Sequence, residues 1–202
     1  MKKLLLAFGL LSAFLSVSAN QDPQVNFSLN NYAETGYIFG GDIGVAWGTR
    51  GLLKNAPYDN AYDRTSSGFM GGVLLGYDSA LNDYVSIGLE TAMQYNYHIA
   101  ESPHAEKFSI LSFPVMAVGK LFIPNTEGVH FIGKAGYAYN RFIIDTPGNR
   151  DFDNNIAPVI AIGVGYKYKN TAISLQWQHN WMHYRGKENN FAHVALGLSA
   201  AL

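Results

Sequence analysis

The feature that most constrains this chain is a two-residue alternation of large apolar with small or polar side chains, repeated in eight segments. A period of two puts successive side chains on opposite faces, which is the geometry of a strand and not of a helix. It is clearest where Val85, Ile87, Leu89, Thr91, Met93, Tyr95 and Tyr97 alternate with Ser86, Gly88, Glu90, Ala92, Gln94, Asn96 and His98. The first segment sets Tyr37, Phe39, Ile43, Val45 and Trp47 against Gly40, Asp42, Gly44 and Ala46. The last sets Val194, Leu196, Leu198 and Leu202 against His193, Ala195, Gly197 and Ser199. The alternation predicts strands at 36–48, 67–78, 84–98, 108–122, 129–143, 155–168, 172–185 and 191–202. Pro114 lies on the small or polar face of the fourth, beside Ser112 and Lys120. Proline removes a ladder hydrogen bond, so a bulge or local distortion is expected there.

Eight strands of this length suit a closed antiparallel barrel, which leaves no edge. The connections alternate in length. The longer ones give the predicted loops Thr49–Ser66, Ile99–Lys107 and Asp145–Asn154. Ser79 to Asp83, Ile123 to Gly128, Lys169 to Thr171 and Gly186 to Asn190 are short. Long loops at one end and short turns at the other are the habit of outer-membrane barrels. An even strand count then places both termini at the short-turn, periplasmic end.

Alternation alone does not say which face meets which solvent. A soluble lipocalin also has eight strands, but its apolar face lines a cup. Composition decides between them. Charged residues are 14% of this chain, against roughly 25% in soluble domains. The less apolar face is mostly Gly, Ala, Ser, Asn and Gln, which suits a narrow interior. Tyr37, Phe39, Tyr77, Phe131, Tyr166 and Tyr168 gather near one rim, and Trp47, Phe69, Tyr95, Tyr97, Tyr137, Tyr139, Trp177 and Trp181 near the other. Two aromatic girdles around an aliphatic band are expected of a barrel in a bilayer. The predicted fold is therefore all-β, an eight-stranded antiparallel up-and-down transmembrane β-barrel.

The start of the chain agrees with export. Lys2 and Lys3 precede an apolar run from Leu4 to Leu15, and Val17-Ser18-Ala19 supplies small residues for cleavage. The run is too short to span a bilayer and reads as a signal peptide. The predicted plan is a signal peptide over 1–19, a polar N-terminal tail over 20–35 and an outer-membrane barrel over 36–202. The formal charge of −1 argues against nucleic acid as a partner. With no cysteine there is no disulfide framework and no thiolate metal site.

The inward face carries the acids Asp42, Asp78 and Glu90 and the bases Lys120, Lys134 and Lys167. Three against three suits a packed polar interior, because a buried unpaired charge is costly. Glu90 is expected to pair with Lys134 or Lys120. Gln94, Gln176, Gln178, Asn96, Asn140 and Asn180 can complete the network. A barrel of eight strands has an interior just filled by side chains, which argues against a wide channel and leaves a narrow ion or solute path as an alternative.

The chain resembles the small outer-membrane β-barrel family that includes the OmpA barrel, OmpX/Ail-type proteins and opacity-like surface antigens. The resemblance rests on 36–44 (GYIFGGDIG), 71–78 (GGVLLGYD), 85–90 (VSIGLE), 133–138 (GKAGYA) and 163–168 (GVGYKY). It implies an outer-membrane location and a stand-alone barrel without the peptidoglycan-binding domain of full-length OmpA. Such barrels serve as structural proteins, adhesins or resistance factors, and a few are lipid-A enzymes. One departure is the final Leu202, where many such barrels end in an aromatic residue.

Candidate chemistry is sparse. None of the six histidines is followed by Ser two places on, as a barrel deacylase would show. Asp78-Ser79 superficially matches an acyltransferase pair but lies at the periplasmic turn. His179 and His183 would stand about 13 Å apart on a strand, too far for one metal. Asp151 to Asn155 starts like a calcium loop but lacks the following Gly and distal Glu. No catalytic residue, cofactor or metal ligand is therefore expected. Arg50, Lys54, Lys107, Arg141, Arg185 and Lys187 fall at or near the outer rim, where they could meet lipopolysaccharide phosphates. The leading expectation is a non-enzymatic envelope component or adhesin acting through its loops, with a lipid-A-modifying enzyme as the alternative. Tyr58, Tyr62, Arg64 and Phe152 are the expected loop contacts, since aromatic and Arg side chains anchor interfaces. The expected partners are outer-membrane lipids, lipopolysaccharide, and a host-surface or matrix ligand for the loops.

Overall fold

The computed structural model describes residues 32–48, 67–101, 107–146, 149–184 and 187–202. Eight strands run in chain order: β1 (Gly36–Gly48), β2 (Ser67–Asn82), β3 (Val85–Glu101), β4 (Lys107–Phe122), β5 (Val129–Thr146), β6 (Asn149–Tyr168), β7 (Thr171–Tyr184) and β8 (Lys187–Ala201). Each pairs antiparallel with the next, and β1 closes onto β8, from Ile38 opposite Ala201 to Gly48 opposite Phe191. The barrel has no sheet edge, so no row of unpaired backbone groups faces lipid.

The strands outrun the alternation at the loop end. β3 continues to Glu101 and β4 begins at Lys107, so Ala100, Glu101 and Lys107 of the predicted loop 99–107 belong to the ladder. β5 reaches Thr146 and β6 starts at Asn149, which turns nearly all of the predicted loop 145–154 into paired strand. Polar residues such as Arg150 and Asp151 hide these extensions in the sequence. Backbone pairing itself needs no apolar alternation, so the ladder continues through these polar residues. Phe152, expected in a loop, accordingly stands in β6 opposite Ile143. The calcium-like run 151–155 is also extended strand and not a ligating loop.

Pro114 produces a local distortion rather than a bulge. On the β5 side the ladder passes Pro114, opposite Ala138, without interruption. On the β3 side pairing resumes at Gln94–Ser112 in the register it had at Thr91–Val115, with the two intervening pairs absent. The tight turns are held locally: in the β2–β3 hairpin, Asn82 Oδ1 accepts hydrogen bonds from the backbone N–H of Tyr84 and of Val85, each at 2.9 Å. In the β4–β5 turn, Gly128 adopts φ 107°, a conformation that favours glycine.

The two faces separate as a bilayer barrel requires. Tyr37, Tyr77, Phe131, Tyr166 and Tyr168 ring the short-turn end, where β1 starts and β8 stops, and Phe69, Tyr95, Tyr97, Tyr137, Tyr139 and Trp181 ring the loop end, all exposed. Between them, Ile43, Val73, Leu75, Leu89, Val115, Ile162, Leu175 and Leu196 form an exposed aliphatic band. So much outward apolar surface would be a liability in water and is ordinary against lipid.

Candidate functional site

Among the described residues, it is the interior that gathers polar side chains into contact. Inward positions of β2 to β5 carry charges at staggered heights, and strand tilt brings together side chains two strands apart. At the short-turn mouth, Lys167 on β6 donates to the backbone carbonyl of Tyr32 at 2.9 Å and pairs with Glu34 at 2.9 Å. Deeper, Lys120 on β4 meets Asp78 on β2 at 2.5 Å. Deeper again, Lys134 on β5 meets Glu90 on β3 at 2.5 Å. Both members of this last pair are largely shielded, with side-chain exposure of 5% for Lys134 and 11% for Glu90.

The carboxylates fit because glycine faces them. A Cβ on Gly88 would collide with Asp78 Oδ1, and one on Gly72 with Asp42 Oδ1. Asp42 has no lysine partner; it accepts from Gln94 Nε2 at 3.2 Å. Gln94 and Gln178 exchange hydrogen bonds across the lumen, at 3.4 and 3.1 Å. Gln176 turns to Ser174, 2.7 Å away. The third lysine thus takes its partner from Glu34 and not from the inward triad. Only its place just before β1 marks Glu34 in the sequence.

Toward the loop end comes a belt of amides. Ser112 donates to Asn140 Oδ1 at 2.7 Å. Asn96 and Asn180 are fully buried, and neither amide makes a hydrogen bond within the protein. Above the belt the interior changes character. Ala46, Met70, Phe108, Ile110, Phe142, Ala157, Met182, Phe191 and Ala195 form one buried cluster contributed by seven of the eight strands. The sequence marks this face as mostly Gly, Ala, Ser, Asn and Gln; the structure adds a layer of large apolar side chains to it. The large members of this layer, Met70, Phe108, Ile110, Phe142, Met182 and Phe191, sit on inward positions, where apolar residues on both faces blur the period of two.

The short-turn mouth is crossed by a short strap, Tyr32–Thr35. Tyr32 and Ala33 donate backbone hydrogen bonds to Asp83 O at 3.2 and 3.1 Å, and Thr35 Oγ1 accepts from Ala80 N at 3.0 Å. The Tyr32 ring stacks on Phe122, with centroids 6.3 Å apart. Tyr32–Thr35, read from the sequence as the end of a polar tail, is therefore tied to the barrel. Beneath it lies a cavity of ≈ 50 Å³ lined by Glu34, Asp78, Lys120, His130 and Lys167 among others.

Outside the lumen, Arg141 stacks over the Phe152 ring at 4.4 Å. Asp78 faces inward to Lys120, so Asp78-Ser79 is no nucleophile–base pair. Tyr58, Tyr62 and Arg64 lie outside the described residues, as does the His183 side chain. Among the described residues, no group of three or more His, Asp or Glu is placed to hold a metal.

The family model described as outer membrane protein beta-barrel domain matches residues 6–200. Among solved structures, Neisserial surface protein A superposes with a TM-score of 0.64 at 15% identity, covering 82% of this chain and 97% of its own. The outer membrane protein OprG of Pseudomonas aeruginosa gives 0.53 at 10% identity, covering 86% and 99%. No curated protein matches the chain in sequence.

Proposed function

This chain belongs to the outer membrane protein beta-barrel domain family and resides in the outer membrane; from that premise we propose that it is a non-enzymatic envelope protein whose recognition surface is its extracellular loops. The observation that carries this reading is the filled lumen. Among the described residues, Lys120–Asp78 and Lys134–Glu90 pair across it, Lys167 pairs with Glu34 at its mouth, and an apolar layer fills its loop-end half. A narrow ion or solute path is disfavoured by the same layer, because an ion crossing it would shed its hydration. The wall then acts as the anchor, and specificity falls to the loops, where binding residues concentrate. In this reading the wall's partners are outer-membrane lipids, lipopolysaccharide included, and the loops' partner is a host-surface or matrix ligand.

The test is binding of whole cells to host cells or matrix, comparing the intact protein with one shortened within 49–66, at equal surface expression. Loss of binding on shortening supports an adhesin. Unchanged binding overturns the loop reading and leaves a structural envelope role. A changed lipid-A mass spectrum on deletion of the protein would overturn the non-enzymatic part.

A further inference from the structure

All three tryptophans of the chain, Trp47, Trp177 and Trp181, fall on one sector of the loop-end girdle, formed by β7, β8 and β1. Elsewhere in that girdle the aromatics are Tyr and Phe: Phe69, Tyr95, Tyr97, Phe113, Tyr137 and Tyr139. Between two of the tryptophans stands His179, with its ring 5.6 Å from Trp177 and 4.6 Å from Trp181 by centroid. The register joins the group. His179 and Trp47 both pair with Ala192, from opposite sides. Ala192 is only 2% exposed although its strand position faces outward.

His179 is the anomaly. An ionisable side chain on the lipid-facing wall is costly, and such a residue marks a functional site with a polar partner. Within the protein His179 has ring contacts alone. Its neighbours narrow the partner's chemistry. Indole N–H groups donate and cannot accept, and imidazole adds at least one more donor. Among the side chains described, the outward positions of the sector toward the short-turn end are apolar, Ile173, Leu175, Val194, Leu196 and Leu198, and Asn190 stands opposite Trp181. The carboxylate of the sector, Glu188, comes further up β8, in register with His183. Three indole N–H groups and an imidazole at the end of an apolar wall, below the level of Glu188, complement an acceptor-rich group attached to acyl chains.

We propose that the Trp47–Trp177–His179–Trp181 sector binds the phosphate-bearing headgroup of an outer-leaflet glycolipid, with His179 as the residue that donates to the phosphate. This deepens the lipid-partner part of the proposed function and is independent of what the loops bind. The experiment places the intact protein in phosphatidylcholine nanodiscs doped with lipid A, or with the same lipid A stripped of its phosphates. Retained lipid is counted by native mass spectrometry. The expected result is about tenfold preferential retention of the phosphorylated form, the size of a charge-assisted hydrogen bond. His179→Leu is expected to abolish the preference while keeping heat-modifiable gel migration, the sign of a folded barrel. Should His179→Leu fail to fold, Trp47→Phe is expected to reduce the preference and serves instead. Equal retention of both lipids overturns the phosphate assignment. Preference unchanged in a folded variant overturns the site. A dimer lost on His179→Leu, without lipid preference, assigns the sector to self-association and overturns the proposal. Loop shortening leaves the preference intact if the proposal holds, so failure of the adhesin reading is separately visible.

Discussion

Glu90 and Lys134 meet at 2.5 Å although their strands are not neighbours: β4 lies between them, and Met116 is paired with Glu90 there. The contact reaches across the concave inside of the wall, which is possible only because the sheet is rolled shut. Removing one partner leaves the other as a buried, uncompensated charge, a loss of about 3–5 kcal/mol. Lys134→Met is therefore expected to lower unfolding stability by that order in micelles, read by urea titration. Glu90→Leu added to Lys134→Met is expected to restore most of it, since a buried ion pair is replaceable by packed apolar groups.

Phe191 and Phe142 are buried in the apolar layer that closes the outer half of the lumen. Each Phe→Ala change there is expected to cost about 3–5 kcal/mol through lost burial and the cavity left behind. The double change to Ser is also expected to admit water and produce ion current in planar bilayers where the parent protein gives none. Current already present in the parent protein would show that the layer is not the seal.

Gly88 lies against Asp78 Oδ1 and the carbonyl oxygen of Tyr77. A methyl group there displaces the carboxylate from Lys120 or shifts backbone. Gly88→Ala is expected to destabilise by about 1–3 kcal/mol, the usual cost of overpacking, in the same urea assay. Gly119, whose added Cβ meets nothing within 4 Å, is the control and is expected to tolerate Ala.

Leu89, 65% exposed on the outer wall, and Ala92, 8% exposed and facing the lumen, lie three residues apart on β3. Leu89→Lys is expected to cost about 2–4 kcal/mol in lipid, as lysine does near the midplane of a barrel. Refolding into phosphatidylcholine vesicles measures it. A neutral result would mean that this face does not contact acyl chains.

Tyr32 and Lys167 hold the strap over the short-turn mouth. The Glu34 partner is 40% exposed, so solvent screens that pair and its contribution is small. Lys167→Met and Tyr32→Ala are expected to leave the global unfolding midpoint nearly unchanged. Amide exchange of Tyr32 and Ala33 is expected to accelerate by about tenfold, reflecting local opening.

The sequence by itself determined the eight strands, their two faces and the identity of the inward charges. Each follows from backbone geometry: a strand alternates its side chains whatever it packs against, and lipid outside a narrow lumen demands large apolar residues on one side and small or polar ones on the other. The tertiary structure alone decided the partners. Whether Glu90 met Lys134 or Lys120 depended on strand tilt and closure, which no single segment encodes. Glu34 could claim Lys167 only once the strap crossed the mouth. The apolar layer was hidden because Met70, Ile110, Phe142, Met182 and Phe191 lie far apart in the chain, and each weakens the alternation of its own strand. Only when the barrel closes do they become one surface, because packing is a property of the lumen and not of any strand that lines it.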